Sequence, residues 1–264
     1  MTDALPLLAA ERRDRIRTRV QERGSVRSIE LAEELGVSLV TVRRDLVELQ
    51  AVGVVRLVHG GAQLVTGRVP PTDRRERSGV HVEAKVQIAR AAAALVAPGD
   101  VVFLDSGTTC AALVEHLALV VGITVVTNDL VSAIALAGAA PDASVVIAAG
   151  RVDGATLSTG GELLPAVLEN FVFDAVFVSA SAWDATSGAT TGDLGYAAVK
   201  RSAIERAKRS FLLVDASKFG AVEPYVVSTL DGFDAIITDD ALGAEQRRDA
   251  ESSGATLVTG SIRS

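Results

Sequence analysis

Small hydroxyl-bearing residues directly follow one apolar stretch of the sequence and precede a helical pattern. Residues 101–105 (VVFLD) are typical of a buried strand, and Ser106, Gly107, Thr108 and Thr109 come next. Backbone N–H groups and hydroxyls at the start of a helix bind anions, and the helix dipole adds to the attraction. The glycine spacing is that of neither a P-loop nor a dinucleotide fingerprint. The segment predicts a phosphate site, with an ordinary capped helix as the alternative.

Three other predicted strands also have candidate site residues at or just after their ends. Asn128 can offer its amide to sugar hydroxyls, Gly150 belongs to a glycine-rich segment that predicts a mobile loop over the site, and Asp215 ends a strand. Lys200 opens a helical turn, and Lys218 follows Asp215 by three residues. A compact ammonium suits a phosphate or carboxylate partner. Because the chain has only four lysines, chance placement of these two is the alternative.

A sheet must position these residues. From residue 81 onward, short apolar segments alternate with helical patterns, which predicts a Rossmann-like, mainly parallel sheet covered on both faces. Ligands bind such sheets beyond the carboxyl ends of the strands, where all of these residues fall. The strands are predicted at 101–105, 123–127, 144–148, 174–179, 211–215, 226–230, 234–239 and 255–259, and helices at 83–96, 109–119, 129–138, 161–169, 194–209 and 242–252.

A second set of candidate residues lies in two short helical patterns near the start of the sequence. Residues 36–50 (GVSLVTVRRDLVELQ) predict a helix capped by Ser38. Residues 28–35 predict a shorter helix with Ser28 as its cap. Two short helices joined by a Gly-Val turn predict a helix-turn-helix, whose second helix suits the major groove of DNA. The apolar stripe that must be buried in the second helix consists of Leu39, Val42, Leu46 and Leu49.

Two adjacent arginines lie on the outward side of the second helix. Neighbouring side chains are separated by about 100° on a helix, so the two cannot enter one groove in the same way. We predict that Arg44 reads a base edge, most simply a guanine, and that Arg43 contacts phosphate. The alternative is a charged helix face in which these arginines pair with Asp45 or Glu48.

A short β-branched segment follows this helix. Gly53 ends the helix, and residues 54–59 (VVRLVH) predict a β-wing, so the domain would be a winged helix-turn-helix. Arg56 and His59 could touch phosphate or the minor groove, with plain surface charge as the alternative. The predicted DNA-contacting residues are Ser28, Ser38, Val40, Thr41, Arg43, Arg44, Arg56 and His59.

Charge divides the chain into two halves. The net charge is −7, but residues 1–80 carry 14 arginines and 11 acidic residues, whereas residues 81–264 carry 12 basic and 22 acidic residues. Nucleic acid would therefore meet only the first half. Residues 66–80 contain a Pro-Pro pair, many charges and little apolar periodicity, as a linker does. We predict a DNA-binding domain at 1–62 (helix-turn-helix about 25–44), a linker at 63–80 and an α/β domain at 81–264.

Several classes of protein are disfavoured by the composition. The single cysteine, Cys110, excludes an internal disulfide framework and fits a reducing cytoplasm. No apolar run is long enough for a membrane span, and the first residues have no hydrophobic signal region, so we expect a cytoplasmic protein. The histidines show no metal-ligand spacing, and we expect no metal and no cofactor. An Arg to Lys ratio of 22 to 4 favours GC-rich coding DNA and a bacterial source.

Five motifs cover much of the chain: ELAEELGVSLVTVRRDLVELQAVGVVRLVHGGA, KVQIARAAAALVAPGDVVFLDSGTT, TVVTNDL, GATTGDLGYAAVKR and DASKFG. In these motifs the chain resembles the DeoR family of transcriptional regulators over nearly its whole length. The resemblance implies a sensor domain with a sugar-phosphate isomerase-like fold, a phosphorylated sugar as ligand, and repression of a carbohydrate operon.

The resemblance also implies roles for individual residues. It assigns Asp105, Ser106, Gly107, Thr108 and Thr109 to phosphate, Asn128 and Lys200 to the sugar, and Asp215 and Lys218 to the neighbouring strand end. The chain departs from the family pattern at Ala149, Ala189, Ala197 and Ala198.

The main hypothesis is a repressor that binds double-stranded operator DNA as a dimer or tetramer on repeated half-sites. A phosphorylated sugar would shift it between DNA-binding and non-binding states. The alternative is a sugar-phosphate isomerase-type enzyme fused to a DNA-binding head, which would need a base beside the substrate. Ala197 and Ala198 remove the most suitable helical carboxylates, leaving Asp105, Asp193 and Asp215. A third interpretation is an activator, which would differ from a repressor only in where the operator lies relative to the promoter.

Overall fold

The computed structural model describes residues 9–51, 54–58, 60–64 and 74–260. The chain divides into two compact units between Thr72 and Asp73. The first unit contains α1 (Ala9–Arg23), β1 (Ser25–Arg27), α2 (Ser28–Leu35), α3 (Leu39–Ala51), β2 (Val55–Val58) and β3 (Gly61–Leu64). Its three strands form an antiparallel sheet in the order β1-β3-β2. This unit is a winged helix-turn-helix, as the sequence predicts.

The second unit is an α/β domain. It contains α4 (Arg74–Gly79), α5 (Val82–Ala93), β4 (Val101–Leu104), α6 (Thr108–Ala111), α7 (Val114–Leu117), β5 (Thr124–Thr127), α8 (Leu130–Ala139), β6 (Ser144–Ile147), β7 (Arg151–Asp153), β8 (Ser158–Gly160) and α9 (Leu163–Leu168). It continues with β9 (Ala175–Ser179), β10 (Ala182–Asp184), β11 (Gly188–Thr191), α10 (Leu194–Glu205), β12 (Ser210–Leu213), β13 (Tyr225–Ser228), β14 (Ala235–Thr238), α11 (Ala244–Ser252) and β15 (Leu257–Thr259). Single 3₁₀ turns lie at Ala216–Lys218 and Leu230–Gly232.

Helix α3 packs its inner face into the core of the first unit. Val42, Leu46 and Leu49 are buried there, as predicted. Leu39, which was predicted to be buried with them, is 39% exposed, whereas Val37 of the preceding turn packs against that core. Asp45 also turns inward and pairs with the Arg12 guanidinium of α1.

The turn between α2 and α3 depends on two local features. Gly36 ends α2 with a φ of 64°, a left-handed conformation that favours glycine. The Ser38 hydroxyl accepts the Thr41 N–H at 3.1 Å, so Ser38 caps α3 as predicted. The predicted cap at Ser28 is wrong, because Ser28 is already inside α2 and its N–H is donated to the Gly60 carbonyl of the wing.

The main sheet of the second unit has seven parallel strands in the order β15-β14-β12-β9-β4-β5-β6. Its central strands are apolar because both of their faces are covered. This confirms the predicted mainly parallel sheet. The strand predicted at 226–230 corresponds to β13, which lies outside this sheet and pairs antiparallel with β11.

Two segments that were predicted to lack regular structure are ordered by contacts within the second unit. The glycine-rich segment after β6 forms the antiparallel hairpin β7-β8. A Cβ at Gly150 would lie 2.5 Å from the Gly160 carbonyl oxygen, so the hairpin needs glycine there. Residues 74–79 of the predicted linker form α4, where Arg74 is 5% exposed. The hairpin is a local pairing, whereas Arg74 of α4 binds Asp129, 55 residues away in the sequence.

We predict that Gly61→Ala disrupts the wing. A Cβ at Gly61 would lie 2.0 Å from the Val26 carbonyl oxygen, so β1 and β3 would have to separate. We expect a loss of about 1–3 kcal/mol in the first unit, as for other overpacked sites. Hydrogen exchange of residues 25–27 should accelerate.

The matched control is Gly138→Ala, since a Cβ there meets no heavy atom within 4 Å. The fluorescence of Trp183, the only tryptophan in the chain, reports unfolding of the second unit. The second unit should unfold normally in the Gly61→Ala variant. Unchanged exchange in residues 25–27 would contradict the strand register.

Candidate functional site

The exposed face of α3 carries two arginines. Val40 is 76% exposed, and Arg43 and Arg44 are also exposed. The alternative of a paired charged face is not supported, because Asp45 binds Arg12 and Glu48 lies 3.8 Å from Arg13. Among the residues that the structure describes, neither Arg43 nor Arg44 has an ion-pair partner. Both guanidinium groups are therefore available to a ligand.

The start of α3 presents hydroxyls beside these arginines. The Thr41 hydroxyl lies 2.8 Å from that of Ser38, and each can also face solvent. Ser28 is only 6% exposed, so we leave it out of the proposed DNA contacts. His59 lies outside the described residues, and the side chain of Arg56 is not described either.

The strand order of the second unit reverses beside β4. After β4 the chain continues to β5 and β6 on one side, and then crosses to β9 on the other side of β4. Ligands of open parallel sheets bind in the crevice at such a reversal, outside the carboxyl ends of the strands. Asp105 and Ser106 follow β4, and Ser179 ends β9. Two of these three residues, Asp105 and Ser106, were predicted as site residues, and the topology brings Ser179 to them.

A buried ion pair occupies this crevice. Asp105 is 1% exposed and Lys200, on α10, is 4% exposed. The Oδ2 atom of Asp105 pairs with Lys200 Nζ and accepts the N–H and the hydroxyl of Ser179, each at 3.0 Å. Its Oδ1 atom has no hydrogen-bond partner among the described residues. Asp105 therefore positions the Lys200 ammonium and retains one free acceptor.

The loop after β4 is held by the end of β5. The Ser106 N–H is donated to Asn128 Oδ1 at 2.8 Å, and the Gly107 N–H to Asp129 Oδ2 at 3.3 Å. Gly107 has a φ of 127°, and a Cβ there would lie 3.0 Å from the Ser179 hydroxyl. Asn128 is fully buried, so in this structure its amide supports the loop and does not face a sugar.

The helix that follows this loop is short. The helix predicted at 109–119 is divided into α6 and α7, of four residues each. The divided helix offers only a small dipole to an anion, since the macrodipole requires aligned peptides. Thr109 is 2% exposed, while the Thr108 hydroxyl is donated to the Arg77 carbonyl at 3.4 Å. The site therefore depends more on its cationic side chains than on a helix N-terminus.

Sequence reasoning missed Asp129, which is fully buried beside the loop. It caps α8 by accepting the Ser132 N–H at 2.7 Å. It also pairs with Arg74, whose Nη2 lies 3.1 Å from Asp129 Oδ1. Its position directly before a helical pattern indicated a helix cap. Its ion pair with Arg74 left no local pattern, because the two residues are 55 positions apart in the sequence.

A second cationic group lies at the end of β12. Lys218 Nζ donates to the Ala180 carbonyl at 3.0 Å and lies 3.5 Å from Asp215 Oδ2. Burial raises the pKa of Asp215, but the charge of Lys218, a hydrogen bond from Ser217 and the charge of His81 outweigh it, so the pKa is lowered. Asp215 is therefore a carboxylate.

A third lysine, Lys85 on α5, was not predicted as a site residue. It is 7% exposed, and its Nζ donates to the Val80 carbonyl at 2.6 Å and to that of Arg77. Burial and the charge of Lys218 lower the pKa of Lys85 to about 8, against the opposing effect of Asp215. The two lysines and Asp215 thus form one electrostatically linked group.

A cavity of about 260 Å³ lies at the carboxyl ends of β12 and β14. Asp215 and Asp239 line it together with His81, Ser217 and Gln246. Of the residues predicted to bind an effector, Asp215 is in this lining and the Ser106–Thr109 loop is not. The structure thus separates the predicted residues into two groups. One lies around Asp105, where the strand order reverses, and the other lies around Asp215, at the cavity.

Within the described part of the chain, no cluster of three or more metal-ligating side chains is present. No helix in that part is long and apolar enough to cross a membrane.

Family models match both units. That of the DeoR-like helix-turn-helix domain matches residues 12–68, and that of the DeoR C terminal sensor domain matches residues 80–240. The Escherichia coli K12 protein named as the uncharacterized HTH-type transcriptional regulator YgbI is 36% identical, over 89% of this chain and 92% of its own. The HTH-type transcriptional regulator GlpR of Haloferax volcanii is 35% identical, over 97% of this chain and 100% of its own.

A solved structure of ribose 5-phosphate isomerase A from Methanocaldococcus jannaschii is more distant. It is 18% identical over 52% of this chain and 54% of its own, with a TM-score of 0.39.

The chain belongs to the DeoR family, and it is a DNA-binding transcriptional regulator. This confirms the resemblance that the sequence motifs indicated. The relatives are named as regulators, so the alternative of a sugar-phosphate isomerase gains no support from them.

We predict that Lys200→Met destabilises the second unit by about 3–5 kcal/mol, because it leaves the Asp105 carboxylate buried without a cation. Asp105→Asn in the same chain should recover part of this loss, since the two side chains interact directly. Denaturant unfolding followed by Trp183 fluorescence measures both effects.

The matched control is Lys208→Met. Lys208 pairs with Asp174 at 2.7 Å, but its side chain is 66% exposed, so the loss of stability should be much smaller than that of Lys200→Met. Equal losses for the two lysine variants would show that the Lys200 pair is not buried in solution.

Proposed function

We propose that the protein is a repressor of a carbohydrate catabolic operon, controlled by a phosphorylated sugar that binds at the carboxyl ends of β4, β9 and β12. The observation that carries this proposal is the buried Lys200 ammonium, which pairs with Asp105 beside the strand reversal, where Ser179 donates to the same carboxylate. A buried cation at the usual ligand position of such a sheet suits an anionic ligand.

The side chains around Lys200 suit the two parts of such a ligand. Lys200 and the partly exposed Lys218 attract a phosphate, and Ser106 and Thr108 add hydroxyls. The free Oδ1 of Asp105 repels phosphate but accepts a hydrogen bond from a sugar hydroxyl. We therefore assign Asp105 to the sugar and not to the phosphate, which departs from the role implied by the family resemblance.

On the DNA side, we propose that α3 enters the major groove. Arg44 then reads a base edge, Arg43 contacts phosphate, and Val40 meets a thymine methyl group or the backbone. Both arginines lack ion-pair partners among the described residues, which supports these roles. A dimer or tetramer would place two such helices on repeated half-sites.

The two activities need only differential affinity to be coupled. An effector that binds the non-DNA-binding state more tightly shifts the population toward it and releases the operator. An effector with equal affinity for both states would leave DNA binding unchanged.

We predict that Arg44→Ala weakens sequence-specific DNA binding by about 1–3 kcal/mol, the usual contribution of a bidentate base contact. The measurement is fluorescence anisotropy with a duplex selected from a random library by the full-length protein. Arg43→Ala should instead weaken specific and non-specific duplexes alike and reduce the dependence of binding on salt.

The control for loss of positive charge is Arg90→Ala, which changes an exposed residue of α5 in the second unit. It should bind both duplexes normally. An Arg44→Ala protein with wild-type discrimination between the duplexes would refute the proposed docking of α3.

We predict that a sugar phosphate raises the Tm of the second unit in a concentration-dependent way, whereas its unphosphorylated parent does not. A ligand that binds only the folded state stabilises it by about 2.7 kcal/mol at 100 times its Kd. Thermal unfolding followed by Trp183 fluorescence, over a panel of sugar phosphates with their parents, measures the shift.

Lys218→Met is the informative variant for this screen, because Lys218 is partly exposed and is less important for folding than the buried Lys200. It should reduce the shift. If parents and phosphates act alike, the ligand is not recognised through its phosphate.

A further inference from the structure

Helix α4 begins directly after the chain leaves the first unit. It has six residues, Arg74–Gly79. A helix of this length is unstable in isolation, because nucleation costs more than so few hydrogen bonds return. Contacts with the rest of the second unit must therefore hold it.

Arg74 supplies these contacts at the start of α4. Its guanidinium pairs with both carboxylate oxygens of the fully buried Asp129. The same guanidinium donates to the Thr156 carbonyl at 3.4 Å, and the Arg74 N–H is donated to the Ala155 carbonyl at 3.1 Å. A bidentate, buried arginine pair of this kind fixes both position and orientation.

Lys85 holds the other end of the helix. Its ammonium donates to the carbonyls of Arg77 and Val80, at the carboxyl end of α4. A cation at this end also compensates the negative end of the helix dipole. Both ends of α4 are thus fixed by buried cationic side chains.

The loop at the effector site shares these contacts. The Asp129 Oδ2 atom that pairs with Arg74 also accepts the Gly107 N–H at 3.3 Å. The Thr108 hydroxyl is donated to the Arg77 carbonyl of α4 at 3.4 Å. Two polar groups of the Ser106–Thr109 loop therefore bind either α4 itself or the carboxylate that anchors it.

We propose that α4 carries the state of the effector site to the chain segment that leads to the DNA-binding unit, with Arg74 as the positioning residue. The functional meaning of this link rests on the proposed binding of an anionic effector at the loop. An anion that takes hydrogen bonds from Gly107 and Thr108 removes them from Asp129 and from the Arg77 carbonyl. The equilibrium between docked and released α4 then shifts.

The link is also reciprocal. If DNA binding by the first unit favours one arrangement of α4, it must change the Ser106–Thr109 loop by the same coupling free energy. The coupling thus has a physical route through a few named contacts, and each contact can be removed singly.

The first experiment needs no ligand and uses Arg74→Lys and Arg74→Met in the full chain. Lysine keeps a charge near Asp129 but loses the bidentate contact, and methionine removes the charge. We expect hydrogen exchange in both residues 74–80 and 106–111 to accelerate, about tenfold or more for methionine and less for lysine. Arg90→Met, an exposed arginine of α5, should leave both segments unchanged.

This experiment separates a link from a local anchor. If only residues 74–80 accelerate in the Arg74 variants, Arg74 holds α4 without reaching the loop, and the proposal is wrong. If the methionine variant fails to fold, the lysine variant decides by the same criterion.

The second experiment adds inorganic phosphate, ribose 5-phosphate or the selected DNA duplex. In the wild type, a probe that slows exchange at 106–111 should also change exchange at 74–80. The duplex should change both segments as well. In Arg74→Lys the anion should affect only the loop, and the duplex should no longer affect 106–111.

The outcomes separate this inference from the proposed function. A loop that responds to the anion while α4 does not, in the wild type, overturns the coupling and leaves the effector site intact. A loop that ignores both anions while the duplex still changes 106–111 supports the coupling and overturns the phosphate effector. A duplex without effect on either segment overturns the coupling to DNA.

Discussion

Buried carboxylates at the carboxyl ends of parallel strands impose the constraint on which the second unit depends. Asp105 and Asp129 follow the adjacent strands β4 and β5, and each is almost fully removed from water. A buried carboxylate is tolerated only with a cation and hydrogen bonds around it. Lys200 and Arg74 supply the cations from a later helix and from the first helix of the unit. The two pairs therefore connect distant parts of the chain at the place where a ligand is expected.

The two compact units differ in the charge of their side chains. The first unit exposes two arginines on α3 that have no ion-pair partner among the described residues, although its interior also contains the Asp45–Arg12 pair. The second unit is acidic in total, yet it concentrates three of the four lysines, Lys85, Lys200 and Lys218, near strand ends. An acidic domain that attracts an anion must do so through local cationic groups, since its overall field opposes the approach. Membership of the DeoR family agrees with this division.

Local patterns predicted the architecture well. Apolar strands alternating with helices predicted the parallel sheet, and the stripe of Val42, Leu46 and Leu49 predicted the buried face of α3. Predictions failed at both short and long range. Val37, two residues before Leu39, packs against the core whereas Leu39 is exposed. Arg74 pairs with the distant Asp129, and part of the expected linker is α4. The proposed contact of Asn128 with a sugar stays a prediction, and in this structure its amide oxygen accepts the Ser106 N–H.

The sequence by itself determined the winged helix-turn-helix, the type of sheet and the strand ends that carry polar residues. These features depend on periodicity, caps and turns within a few residues, which local order reveals. Only the tertiary structure decided the partners: Asp105 with Lys200, 95 residues apart, and Asp129 with Arg74, 55 residues apart. Ion pairs between distant residues leave no local pattern, because strand order and helix placement bring them together. The contacts of single residues at the candidate site were therefore decided by the fold.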